Sequence, residues 1–347
     1  MSSHDDQTNR NSTSVATVCR VDSKTYLRIV VNVYATLPVC TVGFVLNVVT
    51  FYVLARYKND VATYSILRML AVSDNVYLAI SMTCFPVRYL VGLAQYGRLT
   101  FLFKEDEICP MIYHYTVAAR NMAKMVRNWI TALISLERTS VIVFPLQARI
   151  YVTTRVCNLA VVGIVGFTFA TQVWRYNYRQ FQMRSIVCPF ETEVMITADI
   201  PVPGVASGFK RTMHILFITF LPFIVMFAAN LIFVVFLTRA AKARKAMSAS
   251  KSSSGGGGGG DQSNNSLAQH QASILAFSVI VVYLIFEFPV AIRKLIYVIV
   301  SGKAIDPRYA FETVSTFLTQ LDSCVNFLVY CLSSRKFRDQ VRKSFGG

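Results

Sequence analysis

Apolar residues gather along the chain into seven runs, approximately 27–55, 63–92, 109–140, 155–175, 211–238, 271–300 and 308–332, separated by polar or basic segments. Each is long enough to cross a hydrocarbon core of roughly 30 Å at about 1.5 Å per helical residue. The predicted architecture is an all-α membrane protein, a bundle of seven transmembrane helices over 27–332 that follows a polar extracellular tail, 1–26. In the cytoplasmic end, 333–347, Phe337, Val341 and Phe345 recur every fourth residue among Arg and Lys. That is the pattern of a short amphipathic helix lying on membrane lipid. Between the fifth and sixth runs, 240–270 carries a Ser run and the six consecutive Gly of 255–260. Such a composition buries too little apolar surface to order itself, so a flexible intracellular loop is expected there.

The third run breaks the apolar pattern, because it carries Arg120, Lys124, Arg127, Glu137 and Arg138. At about 100° per residue, Arg120, Lys124, Arg127 and Arg138 fall within about 60° of one another, with Trp129 opposite. In lipid a basic stripe of this kind must face other helices or water.

Composition agrees with the membrane assignment: 54% hydrophobic and 15% charged residues with a mean hydropathy of +0.46 are too apolar for a soluble chain of 347 residues. The formal charge of +17 invites a nucleic-acid reading, but the Lys and Arg lie in short clusters between apolar runs, and no nucleic-acid partner is expected. Arg56, Lys58, Arg149, Arg155, Arg239, Lys242, Arg244, Lys245, Arg335 and Lys336 all fall on one side of the seven runs. That side is cytoplasmic, which predicts a multi-pass plasma-membrane protein with its N-terminus outside. The first 22 residues lack the design of a signal peptide, so the first membrane helix is expected to direct insertion. Asn11-Ser12-Thr13 is then an exterior glycosylation sequon, whereas Asn264-Asn265-Ser266 faces the cytoplasm. Of eight Cys, Cys19, Cys109 and Cys188 fall in exterior segments and the other five within helices, as small core residues. His114 and His214 have no companions at metal spacing, the Gly run has no phosphate-cradling pattern, and no nucleophile has a base at readable spacing. Neither a cofactor nor an enzymatic reaction is expected.

Gly43 to Asn47 in the first run, Leu70-Ala71-Val72-Ser73-Asp74 in the second and Glu137-Arg138-Thr139 with Phe144-Pro145-Leu146 after the third form an ordered set. Pro222, Phe286-Glu287-Phe288-Pro289 and Asn326-Phe327-Leu328-Val329-Tyr330 continue it through the fifth, sixth and seventh. In order and spacing the chain resembles rhodopsin-like G-protein-coupled receptors over nearly its whole length. Its seventh run, with Phe327 where most members have Pro, looks most like invertebrate neuropeptide receptors of the FMRFamide-receptor type. The resemblance implies an extracellular peptide or small-molecule ligand and a heterotrimeric G protein as partners. It also implies a switch at Glu137, Arg138, Pro145, Leu146 and Tyr330, in which Leu146 docks into the G protein. Asn230 stands where an activation-linked Tyr is common, so a contact from such a Tyr to Tyr330 is not expected. The likeness further implies a disulfide from Cys109 to Cys188. Cys109 lies about one turn further out than usual, and Cys19 competes for Cys188.

Charge chemistry adds to this. Glu137 and Arg138 can pair with each other until a partner offers the guanidinium a better environment. Asn47 and Asp74 are polar groups near mid-membrane, where in the family the matching Asp joins a sodium cluster. Here Arg127 occupies the facing position, and the seventh run adds Asp322, Ser323 and Asn326. Arg127 is expected to replace the ion as a fixed cation paired to Asp74 and Asp322. Further out, Arg120 and Lys124 lie at the depth where the family binds ligands, with Arg88, Glu287, Arg293, Lys294 and Glu312 around them. Glu287 needs a buried partner, for which Arg120 and Lys124 both qualify. A neuropeptide receptor leads this reading. An RF-amide peptide would need one of the carboxylates for its Arg, whereas an anionic ligand would use the basic groups, as in a chemosensory receptor for small anions. A seven-helix transporter is the remaining alternative.

Overall fold

The structure, a computed structural model, describes residues 30–56, 62–95, 108–176, 179–187, 193–201, 215–250, 260–299 and 308–345. Its elements in chain order are α1 (Thr36–Ala55, after a π-helical turn Val30–Ala35), α2 (Ala62–Gln95), α3 (Ile108–Val143), α4 (Pro145–Tyr151) and α5 (Thr154–Tyr176). There follow β1 (Arg179–Val187), β2 (Glu193–Pro201), α6 (Leu221–Ser250, after a π-helical turn Leu216–Phe220), α7 (Gly260–Ile299), α8 (Arg308–Ser333) and α9 (Arg335–Phe345).

By length and composition, Thr36–Ala55, Thr154–Gln172 and Leu216–Phe236 are apolar enough to cross a membrane. The burial pattern of the bundle is inverted relative to a soluble protein. Large apolar side chains such as Leu159, Val162, Ile224, Phe227, Leu231 and Ile285 face outward, while Asp74, Arg127, Glu287 and Asp322 are buried. Only lipid as solvent makes that arrangement favourable. The bundle is therefore a helical membrane bundle.

α3 is its axis, packed against α2, α5, α6 and α7, while α1 bridges α2 and α8 and α7 lies along α8. One apolar cluster joins Leu54, Leu67, Leu70, Ile130, Ile134, Ile280 and Tyr330 near the α9 end. Two smaller clusters, around Tyr77 and Leu78 and around Met226 and Tyr283, lie beyond it. The charged residues run between these layers.

α9 is amphipathic, as its four-residue spacing predicts. Ser334 caps it by accepting the Phe337 amide at 3.2 Å, and Phe337 packs under Tyr330 with ring centroids 5.4 Å apart. Arg338 donates to the Cys331 carbonyl at 2.6 Å and so satisfies an orphan acceptor at the end of α8.

Two features depart from the sequence expectations. β1 and β2 form an antiparallel pair with Met183 opposite Thr197, where no strand was expected. Both ends of the loop expected as flexible, 240–270, are helical, because α6 continues to Ser250 and α7 starts at Gly260. Ala240, Ala241, Lys242, Ala243, Arg244, Lys245, Ala246 and Met247 are strong helix formers, which carries α6 past its apolar stretch. The middle of that loop, 251–259, lies outside the described residues.

α1 and α8 approach closely at Gly43. A Cβ there would overlap Cys324 Sγ and stand 2.9 Å from Cys324 Cβ and 3.1 Å from Leu78. Gly43→Ala is expected to destabilise the bundle by about 1–3 kcal/mol, read as a lower melting temperature in detergent. Adding Cys324→Ala should restore part of the loss, since it removes the sulfur and leaves the Cβ contact. Equal melting of Gly43→Ala and wild type would contradict this packing.

Candidate functional site

Two positions of α3 seven residues apart, Arg120 and Arg127, differ by about two helical turns and stay on one face. Lys124 lies between them, so one stripe reaches from the N-terminal half of α3 to mid-bundle. The structure turns the stripe inward, with Arg127 and Arg138 buried and Arg120 and Lys124 half-buried.

At the centre Arg127 donates from Nε to Asp74 Oδ1 at 2.7 Å, and its Nη2 pairs with Asp322 Oδ2. Asn326 donates to the other Asp74 oxygen at 2.7 Å. Asn47 donates to the Ser323 carbonyl at 2.8 Å, which ties α1 to α8 beside the same group. The Arg127 guanidinium also lies 5.5 Å from the centroid of the Tyr283 ring on α7. Four helices thus converge on one cation, which has a carboxylate on either side. Arg127 is 1% exposed, so its charge must be neutralised by the protein groups packed around it.

One turn outward, Lys124 Nζ lies 2.9 Å from Glu287 Oε1 and donates to Thr319 Oγ1 at 3.0 Å. Of the two candidates for Glu287, Lys124 is the one that reaches it. The same Glu287 oxygen stands 3.8 Å from Arg127 Nη1, and neither Arg127 Nη1 nor Glu287 Oε2 has a hydrogen-bond partner. Glu287 therefore lies between the outer and the central cation.

Above this pair is a cavity of about 90 Å³ lined by Tyr77, Arg120, Asn121, Lys124, Val290, Arg293, Lys294, Ser315, Thr316 and Thr319. Its walls come from the N-terminal halves of α3 and α8 and the C-terminal half of α7, with Tyr77 from α2. Among the described residues, four of the ten that line it are cationic and none is acidic, while Asn121, Ser315, Thr316 and Thr319 supply neutral donors and acceptors. Lys294 pairs with Thr219 on the π-helical turn before α6. That turn also offers the Ile218 carbonyl to Asn128 at 2.9 Å, so α6 is held to α3 and α7 beside the cavity.

At the other end of α3, Arg138 forks onto Glu137, with Nε 2.6 Å from Oε2 and Nη2 2.9 Å from Oε1. Thr63 of α2 donates to Glu137 Oε1 at 2.9 Å, and Thr139 donates to the Ala229 carbonyl of α6 at 2.9 Å. Pro145 opens α4 at its first turn, where its missing N–H costs nothing, and Leu146 is 79% exposed beside Phe144 and Ile150. Tyr330 is fully buried, and Asn230 bonds the Met226 carbonyl of its own helix.

The model of the family described as "Serpentine type 7TM GPCR chemoreceptor Srw" matches residues 34–347. The chain belongs to this family. It is a G-protein-coupled receptor and not an enzyme. It is a multi-pass membrane protein, and its family works through an extracellular ligand and a G protein. Among the curated proteins none matches the chain.

Some expected site residues of this receptor are not described. Arg88 in α2, Cys109 in α3 and Glu312 in α8 are helical positions whose side chains lie outside the description, and Cys188 and Asn11 lie outside it entirely. Other participants were missed by sequence reasoning. Thr319 is three residues before Asp322 and Tyr283 four before Glu287, so each shares a helix face with a residue already singled out. That spacing was an available signal. Thr63 had none, because nothing in a helix start names the partner it will meet.

Proposed function

We propose that this receptor is a chemosensory G-protein-coupled receptor with seven membrane-spanning helices. Its outer cavity takes a small anionic ligand and its inner end activates a heterotrimeric G protein. The observation that carries the proposal is the cavity, with four cations and no acid among its described lining residues, beside a Glu287 carboxylate already engaged by Lys124. Such a site attracts a carboxylate, sulfonate or phosphate group and repels an amine. An amidated peptide with an Arg would have to take Glu287 from two cations. The volume also favours a small ligand over a peptide as the group seated at this depth.

The family description points the same way by naming chemoreceptors. Seven long helices and basic residues clustered at the α9 end support a topology with the N-terminus outside and the cavity opening outward. The rhodopsin-like motif set supports Glu137 and Arg138 as the switch, with Leu146 in the exposed apolar patch that a G protein would cover.

Cells expressing the full chain should respond, through nucleotide exchange on co-expressed G proteins, to members of a panel of small carboxylates, sulfonates and phosphates. Arg293→Gln should lower the potency of any active anion at least about five-fold. A response confined to amines or amidated peptides would overturn the anionic reading.

A further inference from the structure

The central cation and the cavity are joined by one side chain. Glu287 Oε1 pairs with Lys124 Nζ at 2.9 Å, and the same oxygen stands 3.8 Å from an Arg127 Nη1 that has no hydrogen-bond partner. Within this buried row Lys124 and Arg127 face three carboxylates, Asp74, Glu287 and Asp322. Arg127 is fixed from both flanks, by Asp74 of α2 and Asp322 of α8, so it cannot move toward α7 without breaking both pairs. Glu287 is less fixed, because its Oε2 has no hydrogen-bond partner and it lies two residues before Pro289, inside α7. Pro289 lacks the amide that would bond the Ile285 carbonyl, and its ring crowds that turn, so α7 bends here more easily than elsewhere.

From this geometry we infer that Glu287 is a relay carboxylate: an anion that takes Lys124 in the cavity hands Glu287 over to Arg127, and the inner half of α7 moves with it. This deepens the anionic-ligand reading and rests on it. In the resting arrangement Lys124 is neutralised by Glu287. An arriving anion competes for Lys124 and, as the two negative charges approach each other, repels Glu287 inward. The available destination is Arg127 Nη1, about 1 Å short of a charge-assisted hydrogen bond of about 2.8 Å. Completing it gives Arg127 Nη1 the hydrogen bond that the resting arrangement lacks, which offsets part of the loss of the Lys124 pair. A ligand shifts a two-state helix only through a difference in its interactions with the two states. Here the difference is whether Lys124 is shared with Glu287.

The test needs no ligand. Lys124→Met removes the cation as an anion would, while keeping an unbranched side chain of similar length. In membranes of cells expressing the full receptor with its G protein, basal nucleotide exchange per surface receptor should rise at least about five-fold. Lys124→Met with Glu287→Gln should lose most of that rise, because an amide carries no charge for Arg127 to attract. Unchanged or reduced basal exchange in Lys124→Met at normal surface level overturns the relay. So does a Lys124→Met receptor that fails to reach the surface while the double variant reaches it, because Glu287 is then stranded and not received by Arg127. The ligand reading fails separately. If Lys124→Met raises basal exchange but no anion in the panel activates the wild type, the relay stands and the anionic class of ligand does not.

Discussion

Arg127→Met is expected to be the most damaging single substitution in the bundle, costing about 3–5 kcal/mol, which is the usual consequence of stranding a buried charge. The side chain is 2% exposed and holds Asp74 and Asp322 on opposite sides, with Glu287 close by. Met fills much of the same volume but leaves those two carboxylates facing each other without a cation. The receptor should be retained inside the cell, and what reaches the surface should melt early in detergent. The triple variant Arg127→Met, Asp74→Asn, Asp322→Asn should recover most of the surface level, since removing a whole buried ionic group is far less costly than breaking it. A single variant with wild-type surface level and melting temperature would show that Arg127 is not the bundle's neutralising charge. The same geometry predicts that exchanging sodium for N-methylglucamine leaves the melting temperature of the wild type unchanged, because the guanidinium already stands between the two carboxylates. A clear sodium-dependent rise would place an ion there instead.

Why Arg127 could be assigned from sequence and Lys124 could not is a matter of how many solutions each position has. A guanidinium at mid-membrane has few partners within reach, and Asp74 and Asp322 were the carboxylates at matching depth on neighbouring helices. Arg120 and Lys124 lie one turn apart on one face, and both could serve Glu287. The choice depends on the rotation and depth of α7 against α3, which packing sets and spacing does not encode. Helix existence was legible for the same reason that charges were: lipid demands long apolar runs with internally satisfied backbones. Helix ends were less so. The extension of α6 to Ser250 follows from Ala-rich propensity beyond the apolar run, a signal outweighed by the Gly and Ser stretch next to it. The β1–β2 pair had a weak signal in the alternation Gln180, Phe181, Gln182, Met183, too short to stand out beside seven helical runs. The exact family was not legible either: the motifs led to the receptor class, but the likeness expected to FMRFamide-type neuropeptide receptors is not what the match over residues 34–347 shows, which is the Srw chemoreceptor family.

Glu137→Gln is expected to raise basal nucleotide exchange roughly ten-fold per surface receptor. The Arg138 fork onto Glu137 consists of two hydrogen bonds between ions, in a site where Glu137 and Arg138 are 5% and 2% exposed. Charge-assisted bonds of this kind contribute about 1.5–3 kcal/mol each, and an amide retains only part of that. The lost stabilisation belongs to the state in which Arg138 is held by its neighbour, so the population moves toward the state in which it is released. Thr63→Val should act in the same direction but less, by about 1 kcal/mol or roughly five-fold, because it removes one bond that orients Glu137 while leaving the fork. Arg138→Gln should abolish signalling in either background, since in the proposed switch the released guanidinium is the group offered to the G protein. The ordering separates a switch from mere instability. A bundle that is only less stable loses surface receptor and signal together, whereas here signal per receptor rises from wild type through Thr63→Val to Glu137→Gln. Basal exchange that stays flat across this series, at equal surface level, would leave Glu137 and Arg138 as a structural pair with no part in switching.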